Sequence, residues 1–167
     1  MDIFELIRTR RSIRKFTGAP VSDEVINKII EAGTWAPSGM NNQPWKFGIV
    51  KDNDLKKEIS GLTHYSRIVR EAQALVAVFL DLSTSYDRTK DAQAVGACIQ
   101  NMLLSIHSVG LGAVWLGEIL KNRDKVRELL GGPGDLELMA VIALGHPAEQ
   151  KGKVTRKGLD QTVFFRK

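Results

Sequence analysis

The chain has 167 residues, 43% of them apolar and 26% charged, with a formal net charge of +5. That length suits one domain burying roughly two-thirds of its unfolded surface, and the composition is that of a folded globular protein rather than a disordered one. A single cysteine, Cys98, excludes an internal disulfide and a thiolate metal cluster, and no apolar run approaches the about 20 residues that cross a bilayer.

In chain order, Asp2 caps a short first helix with Ile3, Phe4, Leu6 and Ile7 on its apolar side. The segment Arg10-Arg11-Ser12-Ile13-Arg14 follows. If extended, it points Arg10, Ser12 and Arg14 to one side, a comb of guanidiniums and a hydroxyl suited to phosphate. The alternative is a solvated basic turn. Ser22 caps the next helix, whose buried stripe is Val25, Ile26, Ile29 and Ile30, with Gly33 as its stop. Pro37-Ser38-Gly39-Met40-Asn41-Asn42-Gln43-Pro44-Trp45 then joins this helix to a strand over Trp45–Val50. Prolines pin the loop, Gly39 permits positive φ, and its hydroxyl and amide side chains donate and accept. It suits a flat, hydrogen-bonding ligand, or is an ordinary turn.

Asp52-Asn53-Asp54 turns the chain into a helix carrying Leu55, Ile59 and Leu62. Ala74–Leu82 is almost continuously apolar, as in a strand covered on both faces. A central helix is expected over about Asp91–Val109, capped by Gly110, with Cys98 buried in it as a structural thiol. Leu111–Leu116 is a short strand or extended loop, Asn122 caps a helix ending near Leu130, and Leu138–Gly145 is the last core strand. The segment from His146 to Lys157 crosses the surface, and Val163-Phe164-Phe165 is an apolar tail able to pack on another subunit. Helices alternating with three or four strands argue for a layered α/β or α+β domain.

Several chemistries find no support. Neither standard phosphate loop is present. His64, His107 and His146 lack metal-ligand spacing, and no nucleophile elbow surrounds Ser105 or Ser108. The excess of base suits an anionic ligand or nucleic acid. Basic residues gather near the ends: Arg8, Arg10, Arg11, Arg14 and Lys15, then Lys151, Lys153, Arg156 and Lys157, with Arg166 and Lys167 last. Short clusters fit one phosphate better than a long basic stripe with interleaved aromatics, and Trp35, Trp45 and Trp115 are not interleaved with them. No nucleic-acid or membrane partner is expected. Acids at Met1-Asp2-Ile3-Phe4-Glu5, where a signal peptide is basic, lead us to expect a cytoplasmic protein.

Four stretches in order resemble the flavin motifs of the nitroreductase family. They are Arg10–Phe16, Ala36–Phe47, Gly110–Gly117, and Arg156-Lys157 with Leu159. They span nearly the whole chain, which resembles the compact members. The resemblance implies an α+β fold over residues 1–167, with a mostly antiparallel central sheet flanked by helices in an intertwined homodimer, and FMN at the subunit interface. It implies that Arg10, Ser12 and Arg156 hold the phosphate, with Arg11 beside them. Arg14 would lie near N1 and O2 of the flavin, where a fixed cation stabilises the charge of the reduced ring. Pro37, Ser38, Gly39 and Asn41 would come from the other subunit, with Gln43 bracing the loop. Leu116, Gly117 and Glu118 would pass the N5 edge, a backbone N–H contacting N5. Larger members carry a lysine where Val154 stands here, so Lys153 or Lys157 is left to complete the phosphate shell.

By the same resemblance, hydride passes from NAD(P)H to flavin N5 and electrons then pass to a nitroaromatic, quinone or similar small-molecule acceptor. Flavin-fragmenting or dehalogenating chemistry is the alternative within the family, and a basic nucleic-acid-binding module the alternative outside it.

Overall fold

The computed structural model describes residues 2–150, 152 and 154–167. Four strands, β1 (Trp45–Val50), β2 (Ala74–Asp81), β3 (Gly112–Leu116) and β4 (Leu136–Gly145), form one sheet in the order β1-β2-β4-β3. Every pairing is antiparallel, so the alternatives left by the sequence pattern resolve to α+β. The helices are α1 (Ile3–Thr9), α2 (Asp23–Thr34), α3 (Asn53–Ser60), α4 (Ser66–Glu71), α5 (Arg88–Ser108), α6 (Arg123–Leu129) and α7 (Leu159–Thr162).

The two faces of the sheet explain the apolar run of β2. Successive side chains of a strand point to opposite faces. Val76, Val78 and Leu80 pack with Ile26 and Ile29 of α2 and Val95, Ile99 and Met102 of α5. Leu75, Ala77 and Phe79 face the other way, against Ile59 of α3, Val69 of α4 and Val126 of α6. Both faces are therefore dry, and β2 has no position for a polar residue before Asp81. No helix among the described residues is long and apolar enough to cross a membrane.

The capping expectations divide. Asp2 accepts the Phe4 N–H at 2.8 Å, Ser22 that of Val25 at 3.3 Å, and Asp52 that of Leu55 at 2.8 Å. Asp87 caps α5, which begins at Arg88, three residues before the expected start. Asn122 makes no cap bond. Its amide donates instead to the Leu62 carbonyl at 2.8 Å, tying α6 to the turn after α3. Gly33 does not stop α2, which continues to Thr34. A Cβ on Gly33 would lie 2.7 Å from Met102 Cγ and 3.0 Å from Cys98 Sγ, so this glycine lets α2 and α5 approach closely. Gly33→Ala should therefore cost about 1–3 kcal/mol in a urea titration, despite the better helix propensity of alanine. The short helix α4 escaped the sequence pattern, since its six residues are too few to show a period. Helix α1 buries none of its residues: Ile3, Phe4 and Ile7 are exposed.

Candidate functional site

Residues 10–17 leave α1 as an extended segment laid along the sheet. Ser12 forms a parallel bridge with Ala113 of β3, and the Ile13 N–H donates to the Ala113 carbonyl at 2.9 Å. The Thr17 N–H donates to the His146 carbonyl at 2.9 Å, and the Ala148 N–H to the Lys15 carbonyl at 2.9 Å, pairing the segment with the chain that leaves β4. The Arg14 N–H donates to Glu149 Oε1 at 2.8 Å.

This course brings Arg10, Arg11, Ser12, Arg14, Val154 and Arg156 around a single cavity of about 240 Å³. The basic clusters of the two chain ends thus meet, as two clusters around one phosphate require. Arg11 joins Arg10, Ser12 and Arg14 by folding back on α1, where its guanidinium donates to the carbonyls of Arg8 at 2.7 Å and Arg10 at 2.8 Å. Arg156 donates to the Thr155 carbonyl at 3.0 Å. Burial, followed by the nearby charges of Arg11 and Arg156, lowers the Arg10 pKa below the ordinary arginine value. Val154 presents an aliphatic wall. Lys153 lies outside the described residues, as does Lys151, and Lys157 is not in the lining.

The polar loop is a second structure with its own brace. Ser38 Oγ accepts the Gln43 N–H at 3.0 Å, and Gln43 Nε2 donates to the Asn41 carbonyl at 3.3 Å, so Gln43 braces the loop as expected. Positive φ falls on Met40, Asn41 and Gln43 rather than on Gly39. Gly39 meets a different constraint: a Cβ there would lie 2.6 Å from Cζ of Tyr86, so the partly exposed ring would have to move aside. Pro37, Ser38 and Gly39 line an open cavity of about 330 Å³ with Tyr86, Lys90, Gln93, Ala94 and Ala97 of α5 and its approach. The Lys90 ammonium sits 5.3 Å from the centre of the Tyr86 ring. Within one chain this cavity and the arginine cradle share no lining residue.

A profile of the Nitroreductase family matches residues 7–78 and 61–146. The chain belongs to the nitroreductase family. A Methanothermobacter thermautotrophicus protein named NADH dehydrogenase/NAD(P)H nitroreductase is 37% identical over 91% of this chain and 81% of its own length. A Vibrio harveyi NADPH-flavin oxidoreductase is 32% identical over 87% of this chain and 66% of its own. A Desulfovibrio desulfuricans crystal structure described as a nitroreductase in complex with FMN superposes with a TM-score of 0.94 at 43% identity, covering 100% of this chain and 98% of that one. The expected nitroreductase-like fold is thereby borne out.

Leu116, Gly117 and Glu118 line neither of these cavities. Leu116 is buried at the end of β3, and Gly117 opens a short 3-10 turn, Glu118–Asn122. The Glu118 carboxylate points to the turn after α3. It accepts Thr63 Oγ1 at 2.6 Å and the His64 N–H at 3.1 Å, and pairs with Lys121. The bonds from Lys121 and Thr63 hold its pKa down to about 2.

The residue that sequence reasoning missed is Asp91, whose side chain is 0% exposed. Its Oδ1 accepts Asn42 Nδ2 at 2.8 Å; its Oδ2 accepts Ser85 Oγ at 2.7 Å and the N–H groups of Tyr86 at 3.0 Å and Asp87 at 3.2 Å. Asn42 Nδ2 also donates to the Thr84 carbonyl at 3.2 Å. The polar loop is thus bolted to the start of α5. A signal existed: Asp91, Val95, Cys98 and Met102 share one helical face, so an acid headed an otherwise apolar stripe.

Proposed function

We propose that this chain is an NAD(P)H-dependent FMN oxidoreductase that acts in the cytoplasm as a single-domain homodimer and passes electrons to a small acceptor such as a nitroaromatic or quinone. The arginine cradle carries the reading. Arg10, Arg11, Arg14 and Arg156 converge with Ser12, and none of their guanidiniums is salt-bridged to a carboxylate among the described residues. Burial first, and then repulsion by Arg11 and Arg156, lowers the Arg10 pKa, and a phosphate offsets both with paired charge-assisted hydrogen bonds. The FMN phosphate therefore fits these residues. When bound, FMN accepts hydride from a nicotinamide and delivers electrons to an acceptor, so no nucleophile or dedicated base is demanded of the protein.

The chain's own work is to bind, orient and set charge. Arg10, Ser12 and Arg156 are assigned the phosphate, with Arg11 fixing the end of α1 beside it. Arg14 is assigned the N1–O2 edge as a standing cation. Leu116, Gly117 and Glu118 are assigned the N5 edge through their main chain, which agrees with the Glu118 carboxylate being engaged elsewhere. Pro37, Ser38, Gly39 and Asn41 are assigned to the flavin of the neighbouring subunit.

Two observations support a second copy. The loop and the cradle line separate cavities in one chain. Apolar side chains also stand in solvent on α1, at Trp35 (80% exposed) and Met40 (79% exposed) beside the loop, and at Phe164 and Phe165 in the tail. Such a surface marks an interface. The relatives named above as NAD(P)H nitroreductase and NADPH-flavin oxidoreductase support the donor and the cofactor.

Purified protein incubated with FMN should be yellow, bleach anaerobically with NADH or NADPH, and regain colour with a nitroaromatic or quinone. It should sediment at twice the 18.5 kDa chain mass. Protein that retains no FMN refutes the reading. Fragmented flavin or released halide among the products would replace the reductase outcome with one of its alternatives.

A further inference from the structure

At the other edge of the same end of the sheet lies a cavity of about 390 Å³ that the flavin reading leaves unused. It is lined by Gly18, Pro20, Val21, Lys51, Asn53, Lys56, Arg70, Glu71, Ala72 and Gln73. The register places it there: Val50 pairs with Leu75 and Ala74 with Leu144, while Gly112, next to the cradle segment, pairs with Gly145. Residues 10–21 run from one cavity to the other without sharing a lining residue.

Lys56 is the unusual member. It is 6% exposed, yet no carboxylate lies within salt-bridge distance of it among the described residues. Its one hydrogen-bond acceptor there is the Ala72 carbonyl at 2.8 Å, the C-cap residue of α4. A buried ammonium keeps its charge only where something compensates the lost water. Burial indeed lowers its pKa, opposed by the charge of Asp52. Asp52 spends a carboxylate oxygen on the α3 cap.

The rest of the wall adds positive charge. Arg70 donates to the hydroxyls of Ser66 and, at 3.5 Å, Ser60, which orient its guanidinium without neutralising it. Lys51 is held by Asp23 at 2.7 Å, and the acid of the wall, Glu71, is engaged by Arg67 at 2.6 Å. Gln73 Nε2 donates to the Glu71 carbonyl at 3.0 Å, and its buried Oε1, an acceptor, offers nothing to an anion. Lys56 is thus a buried cation with compensation still to be supplied, and the exposed Arg70 is a second cation on the same wall, around a space large enough for a tetrahedral oxyanion and part of what it is attached to.

We propose that this cavity binds a phosphoryl oxyanion, with Lys56 and Arg70 as its charged partners and Asn53 as a polar neighbour. Two cations suit a doubly charged phosphate better than a singly charged carboxylate, and a guanidinium beside an ammonium gives it directed as well as central attraction. The source is free phosphate or the terminal phosphate of a larger metabolite.

The test uses the FMN-loaded full chain, so that the arginine cradle is already filled. Titration with inorganic phosphate should give saturable amide shifts at Asn53, Lys56, Arg70 and Gln73, with none at residues 10–14 or 156. Lys56→Met should weaken binding at least tenfold while flavin colour and bleaching by NAD(P)H stay as in the parent. Should Lys56→Met fail to fold, Arg70→Gln carries the same expectation, since Arg70 itself is exposed and supports no core contact. Adenosine 5′-monophosphate against adenosine separates the sources: tighter binding than phosphate assigns the site to a phosphorylated metabolite, equal binding to free phosphate. Absence of saturable shifts, shifts confined to the cradle, or an unchanged affinity in the folded variant would overturn the proposal. If the chain takes up no FMN, the same amides still report on this cavity, so the two readings fail separately.

Discussion

Replacing Arg10 and Arg156 together with glutamine should leave the chain folded and weaken FMN binding by about 100-fold or more. Each guanidinium offers charge-assisted hydrogen bonds to phosphate, which are worth about 1.5–3 kcal/mol apiece, or roughly 10- to 100-fold in affinity. The two losses will not add fully, because both residues serve one anion. Folding should survive because neither side chain supports the core. Arg10 is half-buried at the end of α1, and the bond that Arg156 makes is to its neighbour Thr155. Removing the burial cost of the Arg10 charge and its repulsion by Arg11 and Arg156 should even raise the melting temperature of the flavin-free protein slightly. The decisive comparison is FMN against riboflavin, followed by quenching of flavin fluorescence. The parent should strongly prefer FMN, and the double variant should bind both alike. An undiminished preference for FMN would show that phosphate is held elsewhere and would remove the cradle from the flavin site.

How far such a site could be read from sequence depended on how local its causes are. The arginine comb was legible because Arg10, Ser12 and Arg14 lie within five residues and a parallel bridge to Ala113 needs only an extended segment. That Arg156 would close the same cavity was not local. It depends on the chain leaving β4 pairing with residues 15–17, a contact that periodicity does not show; the clustering of bases at the two ends and the family resemblance pointed only to its outcome. Strands β2 and β4 were legible because both sheet faces are covered there and the apolar runs are nearly unbroken.

Gly39 shows the opposite case. Its presence was read as conformational freedom, yet the strained φ values fall on its neighbours, and its missing Cβ makes room for Tyr86, 47 positions later. Gly33 was likewise read as punctuation and proved to be a contact surface between two helices. A glycine announces that a side chain is unwelcome; whether the backbone or a distant neighbour is the reason is settled only by packing.

Asp91→Asn should produce the largest change in stability, about 2–4 kcal/mol, which for a chain of this size lowers the melting temperature by roughly 5–15 °C. The carboxylate accepts four hydrogen bonds, from two side chains and two backbone N–H groups, and every one of those partners is a donor. An asparagine keeps one acceptor oxygen: with its NH2 toward the Tyr86 and Asp87 N–H groups it sets donor against donor, and with its NH2 toward Asn42 it forces that amide to turn over and give up the Thr84 carbonyl. Burial alone would raise the Asp91 pKa, but the bonds from Ser85 and Asn42 and from the Asp87 and Tyr86 backbone outweigh it and leave the group below the usual carboxylate value. Because the folded pKa is depressed, its contribution is fully present above the unfolded aspartate pKa of about 3.9 and is lost as pH falls through the lower folded value. Urea titrations from pH 7 down to pH 3 should therefore show the parent losing its advantage over Asp91→Asn only at the acid end. The variant should also release FMN faster, because Asn42 links Asp91 to the loop that carries Ser38 and Asn41. Equal stability of the two proteins at pH 7 would mean that water or a side-chain shift can replace the buried charge, and the loop would then owe its shape to Ser38 and Gln43 alone.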